Sequence, residues 1–278
     1  MAGDDVVVIT GAGGGMGLAC TEAFAGRGVL VLADVHEDRL APALAAAEAA
    51  GAPATGQVCD VTDAGAVTAL FESVAVRGRL RSLVHTVGLS PTMAEGRRVL
   101  DVDLVGAALV LEAATELVGP GTAAVFISSM AGHAVLWPEL DPVLDEPLAP
   151  GFADRIEATV PELDGATGYV LAKRGVIRLC ERWASAWGRR GGRLVSISPG
   201  LIDTEMGRLE LASFPDMAAM GEATPVHRPG TGTLPGLPSD IAAVAAFLCS
   251  DAASFISGCD ILVDGGLVGA GKHPGASG

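Results

Sequence analysis

The sequence predicts a single α/β domain built on a doubly wound parallel sheet with helices on both faces. Two observations carry that prediction. Short runs rich in Val, Ile and Leu alternate with longer helical stretches, and within the runs the apolar residues are nearly continuous. A strand covered on one face alternates apolar with polar residues, whereas a strand buried on both faces does not, and strand-helix alternation is the pattern of a parallel sheet. A third observation, a glycine-rich turn directly after the first run, places a candidate ligand site at the start of the chain.

The elements follow in order. Val6-Val7-Val8-Ile9 is the first strand, with a helix over about residues 15–27. Val29-Leu30-Val31-Leu32 precedes a helix at 37–50, and Gln57-Val58-Cys59 precedes one at 63–76. Leu83-Val84 and Val125-Phe126-Ile127 continue the series, separated by a helix around 100–118. A helix carrying Tyr169 runs to about residue 188. The strand at 193–197, a helix at 239–250 and the strand Ile261-Leu262-Val263 close the domain. The catalytic domain is thus expected to span residues 1–266, and the Gly-rich tail 267–278 is expected to be loosely ordered.

One segment breaks the rhythm. Residues 133–165 hold eight acidic side chains against the single Arg155, with prolines at 138, 142, 147 and 150. This is an insertion with a short helix at about 152–159, read either as a solvated acidic loop or as a lid over the site.

Composition narrows the function classes. The chain has 278 residues, enough for a substantial core, and no apolar stretch reaches the ~18 residues of a membrane span. No basic leader precedes the first strand, so a cytoplasmic location is expected. A net charge of −15 argues against nucleic acid or an anionic membrane as the main partner. The five cysteines are scattered, odd in number and without a C-x-x-C pair, so they are read as reduced core residues, and no metal is expected.

The glycine turn reads Thr10-Gly11-Ala12-Gly13-Gly14-Gly15-Met16-Gly17. Glycines let the backbone turn sharply and approach a pyrophosphate, while the helix N-terminus offers free amides and a partial positive charge. Gly11, Gly13, Gly15, Met16 and Gly17 are therefore candidate dinucleotide contacts in a Rossmann-type fold. Asp34 ends the second strand, where a carboxylate binds ribose hydroxyls and repels a 2′-phosphate, which favours NAD over NADP. Arg39 nearby pulls the other way. Asp60-Val61 ends the third strand and is placed to contact an adenine ring.

Tyr169, the sole tyrosine, precedes Lys173 by four residues. On a helix this spacing puts both on one face, where the ammonium favours the phenolate. Bringing a phenol that titrates near ~10 to neutrality takes roughly 4 kcal/mol, and a tyrosine so activated is a usable acid or base.

The set T-G-x-x-x-G-x-G, Asp34, Asp60-Val61, Ser129, Tyr169-x-x-x-Lys173 and Pro199-Gly200-Leu201-Ile202-Asp203-Thr204 resembles the short-chain dehydrogenase/reductases over about residues 4–266. The resemblance implies that Ser129 holds the substrate oxygen, Tyr169 exchanges its proton, and Lys173 lowers the tyrosine pKa and holds the nicotinamide ribose. It further implies that Pro199, Gly200, Ile202 and Thr204 clamp the nicotinamide and that Gly88 lies near the adenosine. Hydride transfer from a carbinol needs one base, one oxygen-binding donor and a positioned cofactor, and this set supplies them without a metal.

Three departures stand out. His85-Thr86-Val87-Gly88 replaces the family's Asn-Asn-Ala-Gly, and Asp103 replaces the helix asparagine that holds a relay water. Asp103 is expected either to oppose Lys173 or to serve as a relay group. The insertion is the third. It separates Ser129 from Tyr169 by forty residues, as in a subgroup that includes bacterial 3α-hydroxysteroid dehydrogenase/carbonyl reductase. That likeness implies an apolar secondary alcohol or ketone, steroid- or terpenoid-like, and a homo-oligomer, dimer or tetramer. The alternatives are a dinucleotide-binding regulator with weak or lost catalysis, and enoyl reduction or dehydration on the same scaffold.

Overall fold

The computed structural model describes residues 4–226 and 232–273. Seven strands form one sheet: β1 (Asp4–Thr10), β2 (Val29–Asp34), β3 (Ala54–Val58), β4 (Gly78–His85), β5 (Ala123–Ile127), β6 (Arg193–Pro199) and β7 (Asp260–Val263). Their order is β3-β2-β1-β4-β5-β6-β7, and every neighbouring pair is parallel. The order reverses direction between β1 and β4, so the loops leaving these two strands part and open a crevice at their carboxyl ends.

The apolar strands divide their side chains between two cores. Val6 and Val8 of β1 enter one layer while Val7 and Ile9 enter the other, and Ala124 and Phe126 oppose Val125 and Ile127 in β5. A period of two, apolar on both sides, is what the continuous runs require. Each fully buried Val, Leu or Ile contributes about 1.5–3 kcal/mol, so the central strands anchor both cores.

Helices α1 (Gly15–Ala23), α2 (Glu37–Ala49) and α3 (Ala64–Arg77) follow the first three strands. The first is shorter than its pattern because Gly26 and Gly28 take positive φ and turn the chain into β2. The helix expected at 100–118 is α4 (Gly96–Leu100), one π-helical turn (Asp101–Val105) and α5 (Gly106–Thr115). The long α8 (Gly165–Arg189) is capped by Asp164, whose Oδ1 accepts from the Thr167 amide at 2.8 Å. Beyond β6 lie α9 (Glu205–Ser213), α10 (Asp216–Ala223) and α11 (Pro238–Leu248). The first two have no clear apolar stripe, so the sequence pattern does not predict them. The first part of the tail forms α12 (Leu267–Lys272), started by Gly266 at φ 88° and held by the Asp264 carboxylate, which accepts from the amides of Gly266 and Val268; residues 274–278 of the expected loose tail lie outside the described residues.

The insertion forms a 3₁₀ turn (Pro138–Leu140) and two short helices, α6 (Asp141–Leu144) and α7 (Phe152–Glu157). Leu140, Leu144, Phe152, Ile156 and Val160 are buried in the core layer beneath α8. Asp141 binds Arg174 and Arg178, and Asp145 binds Arg178 and Arg182. These pairs tie the acidic segment to the ridge 174/178/182 of α8, and Arg97 of α4 holds Asp154 and Glu157. The segment is packed and paired against α8, and none of its residues lines the two cavities of the crevice among the described residues.

Among the described residues no helix is long and apolar enough to cross a membrane. Four cysteines are buried and Cys259 is half-buried, none of them paired.

Candidate active site

The crevice holds a cavity of about 380 Å³ between the turn after β1 and the segment after β4. Gly11, at φ 75°, turns the chain, and the amides of Gly11 and Ala12 both donate to Ala33 O. The first intrahelical bond of α1 is Leu18 N to Gly14 O at 2.8 Å. The amides of Gly15, Met16 and Gly17 therefore precede any helical acceptor and face an anion-binding position. A Cβ on Gly17 would fall on the Gly11 carbonyl, so only glycine permits this approach.

Gly11, Gly15, Met16, Gly17, Asp34, Asp60, Val61, Gly88 and Thr204 all line this cavity. Gly13 does not. Its amide is spent on Asp34 Oδ2 at 3.0 Å and its backbone is pressed on Arg39, whereas Gly14 takes the lining position. Gly13 thus holds the Asp34 carboxylate at the cavity wall. Asp60 Oδ1 accepts from the amide and hydroxyl of Thr62 at 2.9 and 2.7 Å. Burial alone would raise the Asp60 pKa, but these bonds and then Arg98 outweigh it and hold the carboxyl below its ordinary value. Arg98, also on the wall, was not singled out from the sequence, because a lone arginine on a short helix carries no motif.

His85-Thr86-Val87-Gly88 supplies shape. Thr86 Oγ1 donates to the carbonyls of Thr10 and Gly11 at 2.9 and 3.1 Å, locking β4 to the glycine turn. His85 is fully buried, with Nδ1 2.8 Å from Thr10 Oγ1 and its ring 5.1 Å from that of Phe126. Burial first, and Lys173 second, push its pKa down to about 3, so it stays neutral.

A second cavity of about 170 Å³ adjoins the first and is lined by Ser129, Tyr169, Pro199, Gly200, Ile202 and Thr204. Ser129 ends β5's extension and caps the next turn, with its Oγ accepting from Ala131 N at 3.2 Å. Its hydroxyl also lowers the Tyr169 pKa, favouring the phenolate. Lys173 Nζ lies 5.3 Å from the Tyr169 ring centroid, and Ser128 Oγ donates to Lys173 O at 2.7 Å, fixing that turn of α8. Gly168 allows the same helix to touch the Gly96 backbone, where a Cβ would collide.

The clamp is built around two glycines and a cap. The Gly200 amide donates to Val263 O at 3.0 Å against Asp264, while Ile202 bridges to Gly236. Thr204 Oγ1 caps α9 by accepting from Gly207 N at 2.9 Å.

Asp103 sits beneath Lys173. The π-turn brings its Oδ2 to 2.9 Å from Lys173 Nζ, and Oδ1 accepts from Leu89 N at 2.8 Å. Both side chains are buried, and a Cβ at Gly88 would meet both of them at about 3 Å. Burial pulls the Lys173 pKa down, but Asp103 and then Tyr169 more than offset it and keep the ammonium charged. Burial drives Asp103 upward against the pull of Lys173.

The phenol departs from the expectation of near-neutral titration. In this structure burial, the largest cause, raises the Tyr169 pKa, and Lys173 only partly opposes it because Glu210 and Asp103 counter its field.

Comparison with known proteins places this geometry. The sequence profile described as "short chain dehydrogenase" matches residues 5–138, and that described as "Enoyl-(Acyl carrier protein) reductase" matches residues 156–268. The chain is 32% identical to D-threitol dehydrogenase of Mycolicibacterium smegmatis, over 94% of this chain and 92% of that one. It is 29% identical to 3beta-hydroxysteroid dehydrogenase 1 of Eggerthella lenta, over 94% and 92%. The chain spans 45% of the length of another curated relative, at 30% identity. Among solved structures, levodione reductase superposes with a TM-score of 0.78 at 26% identity, covering 97% of this chain and all of that one.

Proposed function

The chain belongs to the short-chain dehydrogenase/reductase family, and we propose that it moves a hydride between NAD and an apolar secondary alcohol or ketone. The observation that carries this reading is that Ser129 and Tyr169 line a cavity beside the free amides of α1, with the buried Lys173–Asp103 pair against the Tyr169 ring.

The residues present fit a nicotinamide dinucleotide. The α1 amides would hold its pyrophosphate, Asp34 its adenosine ribose, Asp60 and Val61 the adenine, and Lys173 with Tyr169 the second ribose. Pro199, Gly200, Ile202 and Thr204 would border the nicotinamide. When bound, the nicotinamide supplies the hydride acceptor or donor. Asp34, almost wholly buried at the cavity wall, supports NAD, since a 2′-phosphate would meet a carboxylate there.

In the oxidative direction Ser129 donates to the substrate oxygen and Tyr169 takes the hydroxyl proton. Lys173 stabilises the phenolate that must first form. In the reductive direction the phenol gives the proton back. Asp103 positions Lys173 and attenuates its field. The apolar wall supports the substrate class, because Met130, Met217, Met220, Leu201 and Leu234 face the same space as Ser129. A homo-oligomer is part of the proposal, supported by the fully exposed Phe255 and the half-exposed Phe247 and Leu262 near the β7 edge. A cytoplasmic location is also part of it.

The test is absorbance of reduced nicotinamide during incubation with hydrophobic secondary alcohols and ketones. Turnover that depends on Tyr169 is the expected result. Measurable NAD binding with no turnover across the panel would favour the regulator instead.

A further inference from the structure

One carboxylate in the substrate cavity has no part in that mechanism. Glu210 stands on α9, four residues after Met206, so the two share a helix face, and both line the cavity that holds Ser129 and Tyr169. The first turn of α9 is fixed by the Thr204 cap and by Gly207, whose missing Cβ lets it rest on the Ile202 carbonyl. Glu210 is therefore carried by a placed helix and not by a free loop.

Its surroundings are unlike those of a surface glutamate. Burial pushes its carboxyl pKa up, and Ser90, itself fully buried, only partly opposes this. Oε1 is buried and has no hydrogen-bond partner among the described residues. Among the described residues the wall also carries Met130, Met217, Met220 and Leu234, and no Lys or Arg. A buried acceptor without a donor is costly, and a site that keeps one is complete only when a ligand brings the donor. Asp103 and Glu210 both lie within the field of Lys173, so that single ammonium does not neutralise them both.

We propose that Glu210 is a specificity-determining residue that selects secondary alcohols or ketones carrying a second O–H or N–H donor, a hydroxyl or an ammonium, within reach of its Oε1. The inference rests on the hydride-transfer reading for the location of the carbinol, and it sharpens the substrate class to an apolar skeleton with two polar groups. A site built to hydrogen-bond a substrate group rejects the analogue lacking it.

The experiment compares cyclohexanol with cyclohexanediols and aminocyclohexanols on the full chain. Turnover with NAD is read alongside calorimetric binding to the enzyme–NAD complex. The wild type should prefer at least one diol or amino alcohol about tenfold or more in both readouts. Glu210→Gln should retain preference for a hydroxyl and lose it for an ammonium, whereas Glu210→Met should bring both ratios to about one. A wild-type ratio near one in binding, or a Glu210→Met variant that keeps the ratio, overturns the proposal. If no alcohol is oxidised but the binding preference follows Glu210, the hydride-transfer reading fails and the role of Glu210 stands.

Discussion

Asp103→Asn separates the charge beneath Lys173 from its geometry. An asparagine oxygen can still accept from Leu89 N, so the loop contact at 2.8 Å survives while the negative charge is lost. The carboxylate is 2.9 Å from Lys173 Nζ, which is 5.3 Å from the Tyr169 ring centroid, so Asp103 lies within about 8 Å of the ring. At an effective dielectric of about 20, a unit charge at ~8 Å opposes the phenolate by about 2 kcal/mol, against about 3 kcal/mol favouring it from the ammonium at its distance. With Lys173 held charged by the phenolate itself, the other group that raises its pKa, the variant should shift the phenol ionisation equilibrium roughly thirtyfold toward phenolate. Alcohol oxidation needs the phenolate, so its rate rises with pH as Tyr169 ionises. Lowering that pKa moves the acid limb of kcat/KM to lower pH. Because the chain has one tyrosine, tyrosinate absorbance titrates this phenol directly, without turnover. If parent and variant titrate together in absorbance and in rate, Asp103 carries no effective charge against Tyr169 and the reasoning fails.

Other perturbations test separate parts of the site. Tyr169→Phe should reduce kcat by about a hundredfold or more while NAD binding, followed by fluorescence, changes little. Asp34→Ser should weaken NAD and raise the kcat/KM ratio of NADP to NAD, with Arg39 and Arg98 already on the cavity wall; an unchanged ratio would remove Asp34 from cofactor choice. Asp141→Asn should lower stability by about 1–2 kcal/mol in urea unfolding at neutral pH. Arg174 first, and Arg178 with it, hold that carboxyl below its ordinary value despite burial, so the stabilisation is complete above the unfolded pKa of ~4 and is lost as pH falls through the lower folded value. Parent and variant should therefore converge in acid.

Much of this was legible because it rests on local rules. The glycine turn, the Asp34 strand end and the Tyr169–Lys173 spacing each bind sequence to geometry within one element, and each was found where its pattern placed it. What escaped depends on contacts between distant segments. Gly13 looks like its neighbours in the turn, yet its amide faces Asp34, twenty-one residues away. Glu210 sits in a helix of mixed polarity, and only folding brings it to Ser129 and Ser90. Tyr169 was expected to be brought toward neutrality by a nearby cation and partial desolvation, but burial raises its pKa, and spacing within a helix gives no measure of burial or of charges from other elements.

The acidic insertion shows how one helix can serve two electrostatic tasks. Tyr169 and Lys173 lie on one face of α8, while Arg174, Arg178 and Arg182 follow at helical spacing on the adjacent ridge. Eight carboxylates placed loosely near the cleft would weaken the cation that activates the phenol. Pairing Asp141 and Asp145 with the arginine ridge, and Asp154 and Glu157 with Arg97, neutralises four of them at contact distance. The groups acting on Tyr169 are Lys173, Glu210, Ser129 and Asp103, and those acting on Lys173 are Asp103, Tyr169 and Glu210; none belongs to the insertion. The insertion can thus add buried apolar area beneath α8 and steady the catalytic helix without altering the charge balance at the phenol. That balance is left to Asp103 and Glu210, the two acids that share Lys173.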